Sequence, residues 1–161
     1  MSFLARALIV ATALLAAGSP AQAGTTTATL GVRVVVQQSC IVSGATLDFG
    51  TYSSNQTKDL NGFTQIAFSN CPQGTLRFEL DGGVNGSAGV RRLSDGKGSF
   101  LSYGLYRDSA RTQVFGQGND ARVITLPASG SGKIGVMGRI PGRQLVPAGT
   151  YTDTVAILLT F

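Results

Sequence analysis

The residues of this chain best suited to covalent chemistry are Cys40 and Cys71. An even cysteine count in an exported chain reads as one disulfide. The loop it would close is about 30 residues, a constraint of roughly 3–4 kcal/mol in the chain-entropy account. A two-cysteine metal site lacks partners, because the chain has no histidine and the cysteines are far apart. The missing histidine also removes the usual general base. Lys58, Lys97 and Lys133 flank turns, which is no setting for Ser–Lys catalysis. Asp48, Asp59, Glu79, Asp81, Asp95, Asp108, Asp120 and Asp153 show no active-site spacing. Gly130-Ser131-Gly132-Lys133 hints at a phosphate loop, but Ile134 replaces the required Ser or Thr and Pro127 the first Gly. These residues point away from an enzyme and from any cofactor.

The disulfide reading depends on export, and residues 1–23 carry the export signal. Arg6 gives a positive start, Ala7 to Ala17 an apolar run, and Gly18-Ser19-Pro20 a break. Ala21-Gln22-Ala23 has the small-x-small form of a cleavage site. The run is about 11 residues, short of the ~20 that span a bilayer as a helix. A cleaved signal peptide over 1–23 is expected, with a mature chain from Gly24. Setting Arg6 aside from the 13 basic residues leaves 12 against 8 acids, a net charge of about +4. The basic residues are scattered, and only Arg91-Arg92 are adjacent. A nucleic-acid binder needs a dense basic stripe with aromatic platforms, so no nucleic-acid partner is expected.

The elements that would position the cysteines follow from period-two alternation, the mark of half-buried strands. Ala28, Leu30, Val32, Val34 and Val36 fall on one face of the first run, with Arg33 on the other. Later candidates are 46–49 with Leu47 and Phe49 inward, 63–71 with Ile66 and Phe68, and 75–80 with Leu76, Phe78 and Leu80. Strands are also expected at 100–106 with Leu101, Tyr103 and Leu105, at Val114-Phe115, and at 121–126 with Val123 and Ile124. The last two are 133–140 with Ile134, Val136 and Ile140, and 151–161 with Tyr151, Val155, Ile157, Leu159 and Phe161. Turn residues punctuate them at 81–83, 85–86, 95–96, 116–120, 129–132 and 147–149. Many short strands with Gly- and Pro-rich turns imply an all-β antiparallel sandwich or barrel. The closing run 154–161 contains neither charge nor proline. An apolar edge of that kind is an aggregation hazard in a monomer and suits a surface that another strand covers.

Several of these segments together resemble the spore coat protein U domain family, which includes subunits of archaic chaperone–usher pili. They are the Thr/Val strand leading to Cys40, then Leu47-Asp48-Phe49-Gly50-Thr51-Tyr52, then Cys71. Arg91-Arg92-Leu93 follows, with Leu101 through Asp108 and Ala110-Arg111-Thr112. Gly138-Arg139-Ile140-Pro141 and Ala148 through Val155 complete the pattern. The resemblance implies an incomplete immunoglobulin-like β-sandwich that lacks its last strand, occupies 38–161 and holds the family's disulfide at Cys40 and Cys71. It implies that 24–37 is a donor strand, with Ala28, Leu30, Val32, Val34 and Val36 as anchors. Val155, Ile157, Leu159 and Phe161 would line the acceptor groove. The implied partners are a periplasmic chaperone, an outer-membrane usher and neighbouring subunits. Gly31 weakens the donor run but lies on its outward face.

A rival reading on the same fold is a self-complete secreted coat or matrix protein, or a glycan-binding module. Tyr52, Tyr103, Tyr106 and Tyr151 would then stack on sugars. The acceptor sequons at Asn55 and Asn85 are expected in surface loops.

Overall fold

The computed structural model describes residues 23–37 and 39–161. The expected signal peptide therefore lies outside the described residues, apart from Ala23. The chain divides into two units, 1–35 and 36–161. Within the first, the described residues carry no strand or helix, and Leu30, Val32 and Val34 are 79–89% exposed. Val36, at the start of the second unit, is also exposed. No strand is assigned across 28–36, although the alternation predicts one there. A strand is held by ladder hydrogen bonds, and alternation alone does not supply them.

The second unit is built from eight antiparallel strands in two sheets. They are β1 (Ile41–Val42), β2 (Leu60–Cys71), β3 (Gly74–Leu80), β4 (Arg91–Ser94), β5 (Phe100–Tyr106), β6 (Arg122–Leu126), β7 (Gly130–Ile140) and β8 (Ile157–Thr160). One sheet has the order β1-β2-β7-β5-β4 and the other β6-β3-β8. The only helical turn among the described residues is a 3₁₀ turn over Gly118–Asp120. Most inward side chains are those the alternation selects, but Val123, expected with Ile124, is exposed. Ile66, Phe68, Leu76, Phe78, Leu80, Leu101, Tyr103, Leu105, Ile134, Val136 and Ile140 are all buried. The rings of Phe68 and Phe78 join the sheets across the centre, 5.4 Å apart.

The disulfide depends on a break in the period. Simple alternation from Ile66 and Phe68 would turn Asn70 inward. Instead the β2–β7 register shifts between Phe68 and Cys71, and Asn70 takes a φ of 56°. One extra residue in the strand lets Cys71 face the core, where it is fully buried and bonded to Cys40. Asn tolerates this left-handed backbone better than most residues.

Four expectations change at this level. Residues 46–49 form no ladder, although Leu47 and Phe49 do pack on the core. Val114 makes a single bridge to Tyr106, while Phe115 is fully buried. The turn expected over 129–132 is shorter, because β7 begins at Gly130 and Gly132 pairs with Phe68. A side chain at Gly132 would collide with the Phe68 ring, so glycine here serves packing and not a turn. The final strand is confined to Ile157–Thr160, and Thr152 bridges to Ser94 on the opposite sheet.

Candidate functional site

The last segment crosses from one sheet to the other, and the crossing opens a trough. Thr152 exchanges both backbone hydrogen bonds with Ser94 at the end of β4, at 2.8 and 2.9 Å. Further on, Val84 N donates to Thr154 O and Asp81 N to Ala156 O. From Ile157 the chain runs as β8 against β3, with Ile157 opposite Leu80 and Leu159 opposite Phe78. Among the described residues, β8 pairs with β3 alone, so its other edge is open.

The opposite wall of the trough is the segment 45–49. It lies against the five-stranded sheet because of a pair of glycines. Gly62 on β2 faces Gly138 on β7 across the ladder. A Cβ on Gly138 would come within 2.6 Å of both Leu47 and Phe49, and one on Gly62 within 3.0 Å of Leu47. The two side chains therefore rest on bare backbone, which no larger residue would permit. Phe49 also meets Tyr103 edge-on, with centroids 6.2 Å apart.

Between these walls lies a cavity of about 320 Å³. Its floor is Ile66, Leu80, Tyr103, Leu105 and Val136, and its rims are Leu47, Phe49, Leu93, Val155 and Ile157. The lining is mainly apolar, with Thr46, Thr64, Tyr103, Asp153 and Thr154 as its polar members. Its one ionisable carboxylate, Asp153, is occupied. Tyr103 Oη donates to Asp153 Oδ2 at 2.7 Å. The backbone and side-chain amides of Asn85 donate to Asp153 Oδ1 at 3.0 and 3.1 Å. Burial, reinforced by the hydrogen bond to Asp153, pushes the Tyr103 phenol well above its ordinary value. Tyr103 thus remains a neutral donor that pins one end of the trough.

The expected acceptor residues divide. Val155 and Ile157 line the cavity. Leu159 packs against the core but lies outside the cavity lining, and Phe161 is half-exposed. Tyr103, Leu93 and Asp153 were not expected at such a site, although each lies in a segment that carries the family resemblance. The tyrosines do not make a stacking platform. Tyr52 donates to Pro141 O and accepts from Gln144 N, Tyr151 donates to Pro147 O, and the Arg139 guanidinium covers the Tyr106 ring. Asn85, whose sequon was expected in a surface loop, spends its side-chain amide on Asp153 and Thr152.

Residues 26–158 match the Spore Coat Protein U domain. The chain belongs to the spore coat protein U domain family. One relative, Protein U of Myxococcus xanthus, is 35% identical over 171 aligned positions that cover 96% of each chain. Two solved structures share the fold at lower identity. One is the CsuC–CsuE chaperone–tip adhesion subunit pre-assembly complex from archaic chaperone–usher Csu pili of Acinetobacter baumannii. It is 19% identical with a TM-score of 0.60, over 78% of this chain and 40% of that one. The other is the P pilus rod subunit PapA, 20% identical with a TM-score of 0.52, over 75% of this chain and 97% of that one. This spore coat protein U domain therefore has the immunoglobulin-like fold of pilus subunits, closed by one disulfide.

Proposed function

We propose that this protein is a structural subunit of an extracellular pilus, assembled by donor-strand exchange. The observation that carries the reading is the apolar trough beside the unpaired edge of β8. In this scheme residues 24–37 of one copy enter the trough of the next, pairing with β8. Leu30, Val32, Val34 and Val36 seat between the walls, with Ala28 as a lesser anchor. Val155 and Ile157 contact them directly, and Leu159 and Phe161 extend the same face. The two pilus-subunit structures with this fold support the scheme, and so does the exposure of the donor anchors.

Strand addition gives affinity through main-chain hydrogen bonds and specificity through pockets for alternate side chains. Burying the larger anchors at about 1.5–3 kcal/mol each gives a gross gain on the order of 10 kcal/mol. Ordering the segment offsets part of that. A slip of one residue would turn Arg33 into the apolar trough, so the register is strongly specified. Head-to-tail donation is heterologous and builds an open filament. A periplasmic chaperone shields the trough before assembly, an outer-membrane usher is the site of exchange, and the filament serves attachment and biofilm formation. The role is structural, without catalysis.

A second reading, a coat or matrix protein, is favoured by the matched family, the Spore Coat Protein U domain. The two readings separate on deletion of residues 24–36. Electron microscopy of exported protein should show filaments from the intact chain and none from the deleted one. Filaments from the deleted chain would remove the donor assignment. A stable, monomeric intact chain would favour the coat reading.

A further inference from the structure

Three arginines converge beside β6, the edge of the three-stranded sheet opposite β8. Arg77 (β3), Arg107 (just after β5) and Arg122 (the first residue of β6) line an open cavity of about 450 Å³ with Gln113, Asn119 and Val123. That volume lies within the ~300–1,000 Å³ typical of ligand sites. β6 and β8 are opposite edges of the same three-stranded sheet, and this cavity shares no residue with the trough.

Each guanidinium is held in place by acceptors that use only part of its donor set. Arg77 gives Nε and Nη2 to Glu79 and Nη2 again to Gly118 O. Arg107 gives Nε to Gln113 and Nη1 to the carbonyls of Asn119 and Ala121. Arg122 gives Nη1 to Arg107 O at 2.7 Å. Nη1 of Arg77, Nη2 of Arg107, and Nε and Nη2 of Arg122 have no protein acceptor among the described residues. Glu79 is the one carboxylate bonded to any of the three, so the cavity carries an excess of two positive charges. Positioned forks with unspent donors are what a multiply charged oxyanion requires. A phosphate monoester carries about −1.5 to −2 charge near neutral pH, which matches that excess.

We infer that the Arg77–Arg107–Arg122 cavity binds a phosphate group, free or carried on a saccharide or lipid headgroup. Because it lies on the edge away from the trough, it stays available whether or not the trough is filled.

The test is titration of the full exported chain with inorganic phosphate, glucose 6-phosphate and phosphatidylglycerol vesicles, read by calorimetry and thermal midpoint at low and moderate salt. Wild type should be stabilised by phosphate, less so as salt rises. Arg122→Gln should weaken binding at least tenfold, and Arg122→Lys, which keeps the charge and loses the fork, several-fold. Arg33→Gln, which removes the same charge elsewhere, should leave affinity unchanged. Glu79→Gln should tighten binding several-fold, and it answers the question even where an arginine variant folds poorly. Glucose 6-phosphate binding at least as tightly as inorganic phosphate supports a saccharide-borne group, and the reverse order supports the free ion. Vesicle binding sensitive to Arg122→Gln, together with soluble phosphate binding, supports a headgroup. Equal weakening by Arg33→Gln and Arg122→Gln, no tightening by Glu79→Gln, or capture by vesicles alone would each overturn the site.

Discussion

β6 and β8 pair with the same strand, β3, from opposite sides, and each forms an edge of the three-stranded sheet. Their chemistry differs. β6 opens with Arg122, Pro127 follows one residue after its end, and Arg107 reaches over to the carbonyl of Ala121 just before it. Charge and proline at an edge are the usual means of stopping further strand addition. Ile157–Phe161 has neither, and its outward Leu158 is 54% exposed. A trough lined by Val155 and Ile157 lies beside it. Two edges of one sheet thus show one direction closed to growth and one left open. The difference lies in which side chains flank the strand, since both are similarly short ladders on β3.

The largest expected effect comes from removing what the two edges share. Phe78 is fully buried on β3 between them. Phe78→Ala should cost about 3–5 kcal/mol in urea unfolding and weaken both edges together. Loss of only one edge would mean that β3 does not couple them. Next is the covalent tie on the β1–β2 side. Cys40→Ser with Cys71→Ser should lower stability by about 2–4 kcal/mol, measured by the same unfolding curve with and without reductant. A smaller effect is specific to the open edge. Tyr103→Phe deletes the donor to partly buried Asp153 and should cost about 1.5 kcal/mol, the low end for a charge-assisted bond. The thermal midpoint should fall accordingly.

Acid should act first away from the open edge. Backbone donation from Gly118, then the Arg77 side chain, holds Glu79 below its ordinary 4.5. Backbone amides of Lys97 and Ser99 lower Asp95, and those of Gln113 and Thr112 lower Asp108. Each depressed carboxyl contributes stability that is complete above its unfolded value and is lost as pH falls through its folded one. The midpoint should therefore decline below about pH 4.5 and stay level from there through neutral pH, as circular dichroism melts would record. In the alkaline range it should fall again, because the fold holds the Tyr103 phenol neutral. The smallest effect on stability belongs to Leu158→Lys on the outward face of β8. It should move stability by under about 0.5 kcal/mol yet reduce aggregation in light-scattering traces, because it gives β8 the charge that β6 already has.

How much of this was legible in the sequence depended on how locally each feature is encoded. β5 was readable residue for residue, because Leu101, Tyr103 and Leu105 alternate with smaller or polar neighbours. β4 was not expected, since Arg91-Arg92-Leu93-Ser94 holds one apolar residue; it is held by its ladder to β5 and by Arg91, which donates to the carbonyls of Leu80 and Asp81. β1 is two residues long and too short for any period. The inward faces of Leu47 and Phe49 were predicted, but their mode of attachment was not. They sit on Gly62 and Gly138, and the pairing of those glycines exists only once β2 and β7 are in register. Val155 and Ile157 were expected along this wall and line the cavity, whereas Tyr103, Leu93 and Asp153 line it without having been expected there. A trough floor is made by facing sheets, and no segment carries it alone.

In the proposed scheme the trough beside β8 takes up an apolar strand from another copy. A synthetic peptide of residues 24–37, added to the chain lacking those residues, tests it most directly by calorimetry and thermal midpoint. Strand uptake should give saturable binding at one peptide per chain and a raised midpoint, both lost when Val32 and Val34 of the peptide become Arg. No binding, or equal binding by the arginine peptide, would contradict it.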